Sequence, residues 1–259
     1  MQKVALITGA SSGIGKELAQ IHAATGGDLV IVARRADKLN ALKADLEKQY
    51  GVRVLVLVKD LAQPAAAQEV YDATQAAGVT VDYLINNAGF GGRGKFHERD
   101  WATDLTMINL NIVALPALTR FFLPGMVQRN VGKILNVSST ASLLPGPLQA
   151  VYFATKAYVT SFSNAIAEEL HDTQVTVTAL LPGATETEFA QTSGMDKTEL
   201  FKHPFSAREV AQTGYDGMLA GKLDVMAGLT FGQRMMMRTI PLTPKKVLLQ
   251  QIRKMQELP

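Results

Sequence analysis

Residues 4–15 read VALITGASSGIG, and this stretch decides the fold expected of the chain. Residues 4–7 are a short continuous apolar run, which is typical of a strand buried on both faces of a parallel sheet. Three glycines follow in the spacing Gly-x-x-x-Gly-x-Gly, and a helical pattern through Leu18, Ala19 and His22 comes after them. The order of strand, glycine-rich turn and helix predicts the first unit of a doubly wound α/β fold.

A turn of this kind can bind phosphate. Its glycines let the backbone approach a ligand closely, and the following helix presents free N–H groups and the positive end of its dipole. A three-glycine turn can also be purely structural, but its position directly after the first strand favours phosphate binding. The spacing differs from the Gly-x-Gly-x-x-Gly of the common dinucleotide fingerprint. The candidate binding residues of the turn are Gly9, Ser11, Ser12, Gly13, Ile14 and Gly15.

Strand and helix patterns alternate along the rest of the chain. This alternation predicts a Rossmann-like α/β fold, with one doubly wound parallel sheet of about seven strands in a single domain. Ligands of such sheets bind at the carboxyl ends of the strands, and the polar residues considered below all lie at such ends or on adjoining helices. Strands are predicted at residues 4–7, 29–32, 53–58, 81–85, 134–137 and 175–181, and residues 223–227 are a candidate edge strand.

The end of the second strand, Ala33-Arg34-Arg35, bears on the choice of cofactor. An NAD site places an acidic residue here to hold the ribose, but this chain has arginines instead. Since arginine pairs with a 2′-phosphate through charge-assisted hydrogen bonds, we expect Arg34, together with Arg35, to bind NADP(H). Solvated arginines at the start of a helix are the alternative. Asp60, after the third strand, can accept a bond from an adenine amino group or cap the helix that begins near Gln63.

A second informative stretch, residues 134–156, reads ILNVSSTASLLPGPLQAVYFATK. Tyr152 and Lys156 are four residues apart on a predicted helix, so their side chains share one face. Because a nearby ammonium stabilises a phenolate, we expect Lys156 to lower the pKa of Tyr152 towards the range of general acid–base catalysis. Ser139, at the end of the strand, can polarise the same substrate oxygen. A Tyr-x-x-x-Lys pair alone arises easily by chance, and its surroundings give it weight.

The composition argues against several kinds of site. The chain has no cysteine, which excludes disulfides, thiolate metal sites and cysteine nucleophiles and fits a reducing cytoplasm. The four histidines are scattered and no carboxylate pair has ligand spacing, so we expect no metal. The uncharged, apolar stretch at residues 105–119 is shorter than the ~20 residues of a membrane span, and the N-terminus has no signal-peptide pattern. We therefore expect a cytoplasmic protein.

The C-terminal extension, residues 228–259, holds the excess of basic charge. It has six basic residues and one acidic residue, a net charge of +5, which leaves −2 for residues 1–227 out of a total of +3. We therefore expect no nucleic-acid partner. Residues 1–227 form the predicted catalytic domain, in which the irregular segment 188–207 is expected to be a mobile substrate lid. The Met- and Leu-rich extension is expected to pack on the same domain. The alternatives are that it caps an apolar substrate pocket, packs in a subunit interface or, less favoured, rests on an anionic membrane surface.

The motifs of the sequence and their order along the chain resemble those of the short-chain dehydrogenase/reductase family, over nearly the whole chain. The Ala33-Arg34-Arg35 junction is similar to that of the NADP-preferring members. The region after Glu188 matches only in its variable, substrate-shaping character. The elements that carry the resemblance are TGASSGIG at 8–15, Asp60, NNAG at 86–89, Asn111, Ser139, Tyr152 with Lys156, and Pro182-Gly183 with Thr187.

The resemblance implies an NADP(H)-dependent oxidoreductase that interconverts a ketone or aldehyde and an alcohol. The lid and the Met-rich extension suggest that the substrate is a bulky or apolar small molecule. The resemblance makes Tyr152 the general acid or base, and Lys156 its partner and a ligand of the nicotinamide ribose. It makes Ser139 the group that holds the substrate oxygen and Asn111 the anchor of a water in the proton relay. It also implies a homodimer or homotetramer, built partly through the long helices predicted at residues 101–128 and 150–171. An NADPH-binding sensor with little turnover is the alternative, which an intact Ser/Tyr/Lys set disfavours. The further cofactor contacts it implies are Leu61, Asn87, Ala88, Gly89, Pro182, Gly183, Thr185 and Thr187.

Overall fold

The computed structural model describes residues 2–198, 201–240 and 243–257. Positions 199–200 of the predicted lid, and positions 241–242 and 258–259 of the predicted extension, therefore lie outside the described residues. The strands are β1 (Val4–Thr8), β2 (Asp28–Ala33), β3 (Val54–Val58), β4 (Tyr83–Asn86), β5 (Gly132–Val137), β6 (Val175–Pro182), β7 (Thr185–Glu186), β8 (Phe205–Ser206) and β9 (Asp224–Ala227).

Within the described residues, seven strands form one parallel sheet in the order β3-β2-β1-β4-β5-β6-β9. The short strands β7 and β8 pair separately. The predicted doubly wound sheet is therefore confirmed. The candidate edge strand is β9, which lies at one edge of the sheet. The helices are α1 (Gly13–Ala24), α2 (Ala36–Tyr50), α3 (Ala66–Ala76), α4 (Trp101–Ile108), α5 (Ala114–Gln128), α6 (Ala150–Glu169), α7 (Phe189–Thr192), α8 (Ala207–Leu219), α9 (Phe231–Thr239) and α10 (Lys245–Gln256).

Helices cover both faces of the sheet, which explains the continuous apolar runs of its strands. Ala5 and Ile7 of β1 pack with apolar residues of α1, α2 and α8 on one face. Leu6, between them, packs with residues of α3, α5 and α6 on the other face. Because successive side chains of a strand point to opposite faces, a strand covered on both sides has to be apolar at every position.

The order of the strands creates the crevice in which a ligand can bind. From β1 the chain adds β2 and β3 on one side, and it then returns to add β4, β5 and β6 on the other. The loops that leave the carboxyl ends of β1 and β4 therefore diverge, and such a switch point is where ligands of doubly wound sheets bind.

The single long helix expected at residues 101–128 is interrupted by a wider π turn over Asn109–Val113, between α4 and α5. In this turn the N–H of Ala114 bonds to the carbonyl of Asn109. The buried residue of the turn is Asn111, whose amide bonds to the backbone of Phe90 and to the hydroxyl of Thr155. Turns of this type are frequent at functional sites, and this one brings a polar side chain behind the crevice.

The stretch Trp101–Gln128 is long and apolar enough, by length and composition alone, to cross a membrane. Its buried side chains include Leu118, Phe122 and Met126, which pack in the core against the sheet. A helix with one apolar face against a sheet is typical of a core helix, and we interpret it in this way.

Candidate active site

A cleft of about 680 Å³ opens at the carboxyl ends of the central strands. It brings together residues from loops that are far apart in the sequence. Gly15 and Asn111 are the two predicted site residues that do not line it, because both are buried behind its wall. The predicted residues that line it are Gly9, Ser11, Ser12, Gly13, Ile14, Arg34, Arg35, Asp60, Leu61, Asn87, Ala88, Gly89, Ser139, Tyr152, Lys156, Pro182, Gly183, Thr185 and Thr187.

The glycine-rich turn lies tightly against the loop that follows β4. Gly9 has a φ of 68°, in the left-handed region, and a Cβ there would lie 2.7 Å from Asn87 Nδ2. The Asn87 amide donates to the carbonyls of Thr8 (2.8 Å) and Gly9 (3.3 Å). The Thr8 hydroxyl accepts from the backbone N–H groups of Asn87 and Ala88, both at 2.9 Å. A Cβ at Gly15 would lie 2.4 Å from the Gly9 carbonyl, so Gly15 serves the packing of the turn.

The N-terminus of α1 forms one wall of the cleft. Ser12 is its N-cap residue, but the Ser12 hydroxyl makes no capping bond to the helix. The first N–H groups of the helix therefore have no cap from this side chain, and they can bind an anion. A Cβ at Gly13 would lie 2.9 Å from Thr187 Cγ2, so Thr187 approaches the start of this helix closely.

The two arginines after β2 occupy different environments. Arg34 is exposed at the edge of the cleft. Arg35 donates from Nη2 to the hydroxyls of Ser11 at 3.0 Å and Ser12 at 2.8 Å. Arg35, rather than Arg34, is therefore the arginine that lies against the glycine-rich turn.

Arg35 also belongs to an ion-pair cluster. Its Nη1 lies 2.8 Å from one carboxylate oxygen of Glu188, and Lys38 Nζ lies 2.7 Å from the other. The Lys38 hydrogen bond, followed by bonds from Arg35 and Ser12, lowers the pKa of Glu188 to about 2. We call Ser11, Ser12, Arg35, Lys38 and Glu188 the Arg35 cluster.

Asp60 lies at the edge of the cleft after β3. Its carboxylate accepts the backbone N–H of Ala62 at 3.1 Å and thereby caps a local turn. The next helix, α3, begins only at Ala66, so Asp60 does not cap that helix. Asp60 also lines the cleft beside Leu61, and its second carboxylate oxygen can accept a bond from a ligand.

Ser138 and Ser139 are adjacent in the chain but face opposite ways. Ser138 is buried, and its hydroxyl donates to the Lys156 carbonyl at 2.9 Å and lies 2.7 Å from Thr160 Oγ1. Ser139 lines the cleft, where its hydroxyl accepts the Ala141 N–H at 3.1 Å and lies near enough to the phenol of Tyr152 to lower its pKa. Of the two serines, Ser139 is therefore the one that can meet a substrate oxygen together with Tyr152.

Tyr152 and Lys156 line the cleft from α6, and both are buried. Burial raises the pKa of Tyr152 to about 12, and the nearby hydroxyl of Ser139 offsets only part of this shift. Burial lowers the pKa of Lys156 to about 8. Lys156 Nζ donates to the Val137 carbonyl at 2.8 Å and lies 5.8 Å from the centre of the Tyr152 ring. The expectation that the pKa of Tyr152 is lowered by Lys156 is therefore wrong. The pKa of Tyr152 is raised, because desolvation is the largest effect at both groups.

Asn111 supports the cleft from behind. Its Nδ2 donates to the Phe90 carbonyl at 2.9 Å and to Thr155 Oγ1 at 3.1 Å, and its Oδ1 accepts the Phe90 N–H at 3.2 Å. The Thr155 hydroxyl in turn donates to the Tyr152 carbonyl at 2.7 Å. Asn111 thus joins the loop after β4 to the helix that carries Tyr152, and one lone pair on its Oδ1 remains for another partner.

An apolar chamber adjoins Tyr152. The ring of Phe189, from α7, lies 5.3 Å from the Tyr152 ring, and Ile252 of α10 packs in the same apolar cluster. Arg93 Nε donates to the Gln256 carbonyl at 2.6 Å and holds the end of α10 against the body of the protein. The other apolar residues that line the cleft here include Phe90, Leu144, Phe153, Met195, Phe201, Met236, Met237, Ile240, Leu248 and Met255.

Three residues of the site were not anticipated from the sequence. Thr155 lies three positions after Tyr152 on an apolar helix, and its polarity was the available signal. Glu188 contacts Arg35, which lies two residues after the end of β2. Glu188 itself comes from a distant segment of the chain, so nothing in its local sequence pattern indicates this contact. Phe189 follows it directly and is brought to Tyr152 by the same segment.

Comparison with known proteins identifies relatives of the chain. A sequence model described as short chain dehydrogenase matches residues 3–198. Human very-long-chain 3-oxoacyl-CoA reductase is 34% identical over 194 residues, which are 72% of this chain but only 61% of that protein. An NADP-dependent 3-hydroxy acid dehydrogenase of Salmonella typhi is 39% identical over 184 residues, 70% of this chain and 71% of that one. A short-chain dehydrogenase from Sphingobium yanoikuyae, solved with NADPH, has a TM-score of 0.80 at 34% identity and covers 86% of this chain and 87% of its own.

Proposed function

This chain belongs to the short-chain dehydrogenase family, and on that premise we propose that it is an NADP(H)-dependent oxidoreductase that interconverts a carbonyl group and an alcohol. The observation that carries the proposal is the continuity of one cleft from the glycine-rich turn to Tyr152 and Ser139. A phosphate-binding turn at one end and a proton donor at the other are the two parts that a dinucleotide-dependent reductase needs.

The residues around the turn fit NADP(H). The first N–H groups of α1 have no cap from the Ser12 side chain, so they are open to a pyrophosphate. The Arg35 cluster offers two cations and two hydroxyls, which suit a 2′-phosphate. The NADP dependence of the Salmonella relative and the NADPH in the Sphingobium structure support this choice. Within the described part of the chain, no group of three or more histidine or acidic side chains could hold a metal ion.

Tyr152 and Ser139 act on the substrate oxygen. When bound, NADP(H) supplies or accepts the hydride. During reduction Tyr152 Oη donates a proton to the substrate oxygen, because a phenol with a pKa of about 12 is protonated at neutral pH. Ser139 Oγ holds the same oxygen through a second hydrogen bond.

Lys156 and Asn111 support Tyr152 from two sides. With a pKa of about 8, Lys156 is mostly protonated at neutral pH, so its ammonium stabilises the phenolate that remains after proton transfer. Its bond to the Val137 carbonyl fixes Nζ and leaves two N–H groups for the ribose of the cofactor. Asn111 holds α6 in place through Thr155, and the free lone pair on its Oδ1 is available for the water of the relay.

The apolar chamber supports a ketone or alcohol on a hydrophobic body as the substrate. Phenylalanine, leucine and methionine side chains from several segments line it, and methionines adapt to irregular apolar shapes. The human and Salmonella relatives are named as a 3-oxoacyl-CoA reductase and a 3-hydroxy acid dehydrogenase. Both names place the reacting oxygen, as a ketone or as an alcohol, at carbon 3 of an acyl or acid chain. We therefore place aliphatic and cyclic ketones first among candidate substrates.

The proposal is tested by following NADPH oxidation with aliphatic, aromatic and alicyclic ketones, in the parent protein and in Tyr152→Phe. We expect the variant to lose ~10²–10⁴-fold in kcat, because the proton donor is removed. NADPH binding, measured by fluorescence titration, should change little, since the phenyl ring keeps its packing against Phe189. Tyr158→Phe is the matched control, because Tyr158 lies on the same helix but is exposed to solvent.

Each outcome of this experiment has a distinct meaning. Turnover that collapses in Tyr152→Phe and persists in Tyr158→Phe supports the reductase. Tight NADPH binding without turnover of any ketone would favour the sensor instead. A Tyr152→Phe variant as active as the parent protein would contradict the assignment of the proton donor.

A further inference from the structure

We propose that Glu188 competes internally with the 2′-phosphate of NADP(H) and is therefore a residue that sets the preference between NADP(H) and NAD(H). The inference rests on the proposed function, because it concerns the cofactor end of the same cleft. It starts from the contacts of the Arg35 cluster, in which a carboxylate already occupies the cations that suit a phosphate.

Each of the three side-chain nitrogens of Arg35 already has a partner. Its Nε and Nη2 bond to the Ser11 hydroxyl at 3.3 and 3.0 Å, and Nη2 also bonds to Ser12 at 2.8 Å. Its remaining nitrogen, Nη1, lies 2.8 Å from Glu188. A phosphate that bridges Arg35 Nη1 and Lys38 Nζ therefore has to take the position that the Glu188 carboxylate holds between them.

The placement of Glu188 is set by these cations and not by its own helix. Glu188 is the N-cap residue of α7, yet its side chain makes no capping bond there. Its carboxylate reaches instead to Arg35 and to Lys38 of α2. The pKa of about 2 keeps this carboxylate negatively charged throughout the physiological range, so the competitor is always present.

The charge balance of the cluster distinguishes the two dinucleotides. Arg35 and Lys38 carry two positive charges, while a phosphate monoester brings about 1.5 to 2 negative charges at neutral pH. A phosphate and Glu188 together would leave the cluster with excess negative charge, so the carboxylate has to be displaced. The ribose hydroxyl of NAD(H) meets no such conflict, because a carboxylate can accept its hydrogen bond. Glu188 thus supplies, from the lid, the acidic group that is lacking at the end of β2.

The test is a fluorescence titration of NADPH and of NADH into the parent protein, Glu188→Gln and Glu186→Gln. Glutamine keeps the size of the side chain and removes its charge. We expect Glu188→Gln to bind NADPH more tightly and NADH no better, so that the ratio of the two Kd values shifts about five- to tenfold towards NADPH, as expected for two exposed ion pairs. Glu186→Gln removes the same charge from an exposed residue two positions earlier, and its ratio should equal that of the parent protein.

Three results would overturn the inference. Equal weakening of both dinucleotides by Glu188→Gln would mean that the carboxylate clamps the bound cofactor. An unchanged ratio would mean that it does not compete, and the same shift in Glu186→Gln would mean that only net charge matters. The parent protein distinguishes this failure from that of the proposed function, because NADPH binding and ketone turnover by the parent would uphold the function in all three cases. If the parent binds neither dinucleotide, both proposals are wrong.

Discussion

At the scale of single residues, the pair Ser138 and Ser139 shows how one backbone step separates a structural role from a chemical one. The hydroxyl of Ser138 is buried on the carbonyl of Lys156 and on Thr160. The hydroxyl of Ser139 lies in the cleft near the phenol of Tyr152. The two hydroxyl groups are chemically identical, so the difference between a structural and a catalytic role comes from their surroundings alone.

Alanine at these two positions should therefore produce opposite phenotypes. Ser139→Ala is expected to lower kcat by ~10²-fold, because a hydrogen bond to the reacting oxygen is lost. Ser138→Ala is expected to lower the free energy of unfolding by about 1 kcal/mol, because a buried hydrogen bond is lost. Steady-state kinetics and urea unfolding of both variants check this. A loss of kcat in Ser138→Ala that exceeds the loss in Ser139→Ala would reverse the assignment.

Lys156 should set an upper pH limit on reduction. Its pKa is lowered to about 8 by burial, so the ammonium loses its proton as the pH rises through this value. Without that charge the phenolate of Tyr152 is less stabilised, and kcat/KM, which reports the free enzyme, is expected to fall above about pH 8. In Lys156→Arg the guanidinium stays charged, so this decline should be absent even if the overall rate is lower. A profile of the parent protein that stays flat to pH 10 would contradict the assignment.

At the scale of secondary-structure elements, α1 and α8 are joined by one buried polar contact. His22 of α1 places Nδ1 2.8 Å from the Tyr215 hydroxyl of α8 and Nε2 3.1 Å from the Lys3 carbonyl. Burial lowers the pKa of His22, so the folded protein holds it neutral. The contact ties the helix of the glycine-rich turn to the last helix before β9, and the protonation of His22 thus affects the stability of the domain.

The unfolding free energy is expected to decrease as the pH falls below about 6.5. Above that pH His22 is neutral in both states, whereas below it the unfolded chain binds a proton that the folded protein resists. Urea unfolding at several pH values between 5 and 7.5 measures this slope. His22→Gln should be less stable but should show a shallower slope, while His97→Gln, at an exposed histidine, should keep the slope of the parent protein. Equal slopes in all three proteins would remove His22 as the cause.

The sequence predicts those elements whose chemistry depends on near neighbours in the chain. The turn at residues 8–15 follows its strand directly, and Tyr152 and Lys156 meet because they are one helical turn apart. The contact of Glu188 with Arg35 joins distant segments, and no local pattern encodes it. The pKa of Tyr152 escapes prediction for the same reason, because the burial that raises it comes from several segments packed around α6.

At the scale of the whole molecule, one outer face of the protein is apolar. Trp101 and Leu105 of α4, Val113 of the π turn and Tyr158 of α6 expose 58, 42, 51 and 37% of their surface. All belong to the helices expected, from the family resemblance, to build a homodimer or homotetramer. Burial of these side chains in a subunit interface would remove apolar surface from water, which is the main driving force of association.

We therefore expect the parent protein to be at least a dimer at micromolar concentration. Leu105→Glu should shift it towards the monomer, because a charge would be buried in the interface. Leu219→Glu is the matched control, since Leu219 is equally exposed but lies on α8, against the other face of the sheet. Light scattering coupled to size-exclusion chromatography measures the mass of each protein. A monomeric parent protein would show that this face has another use.

The apolar wall of the chamber also exposes the protein to oxidants, although the chain has no cysteine. Met236 and Met255 line the cleft and are 48 and 43% exposed, so their sulfur atoms lie within reach of peroxide. Conversion of methionine to its sulfoxide places a polar oxygen in that wall, while the phenol of Tyr152 is untouched. Preparations that age in air would then lose affinity for hydrophobic ketones before they lose NADPH binding, and a methionine sulfoxide reductase would restore it.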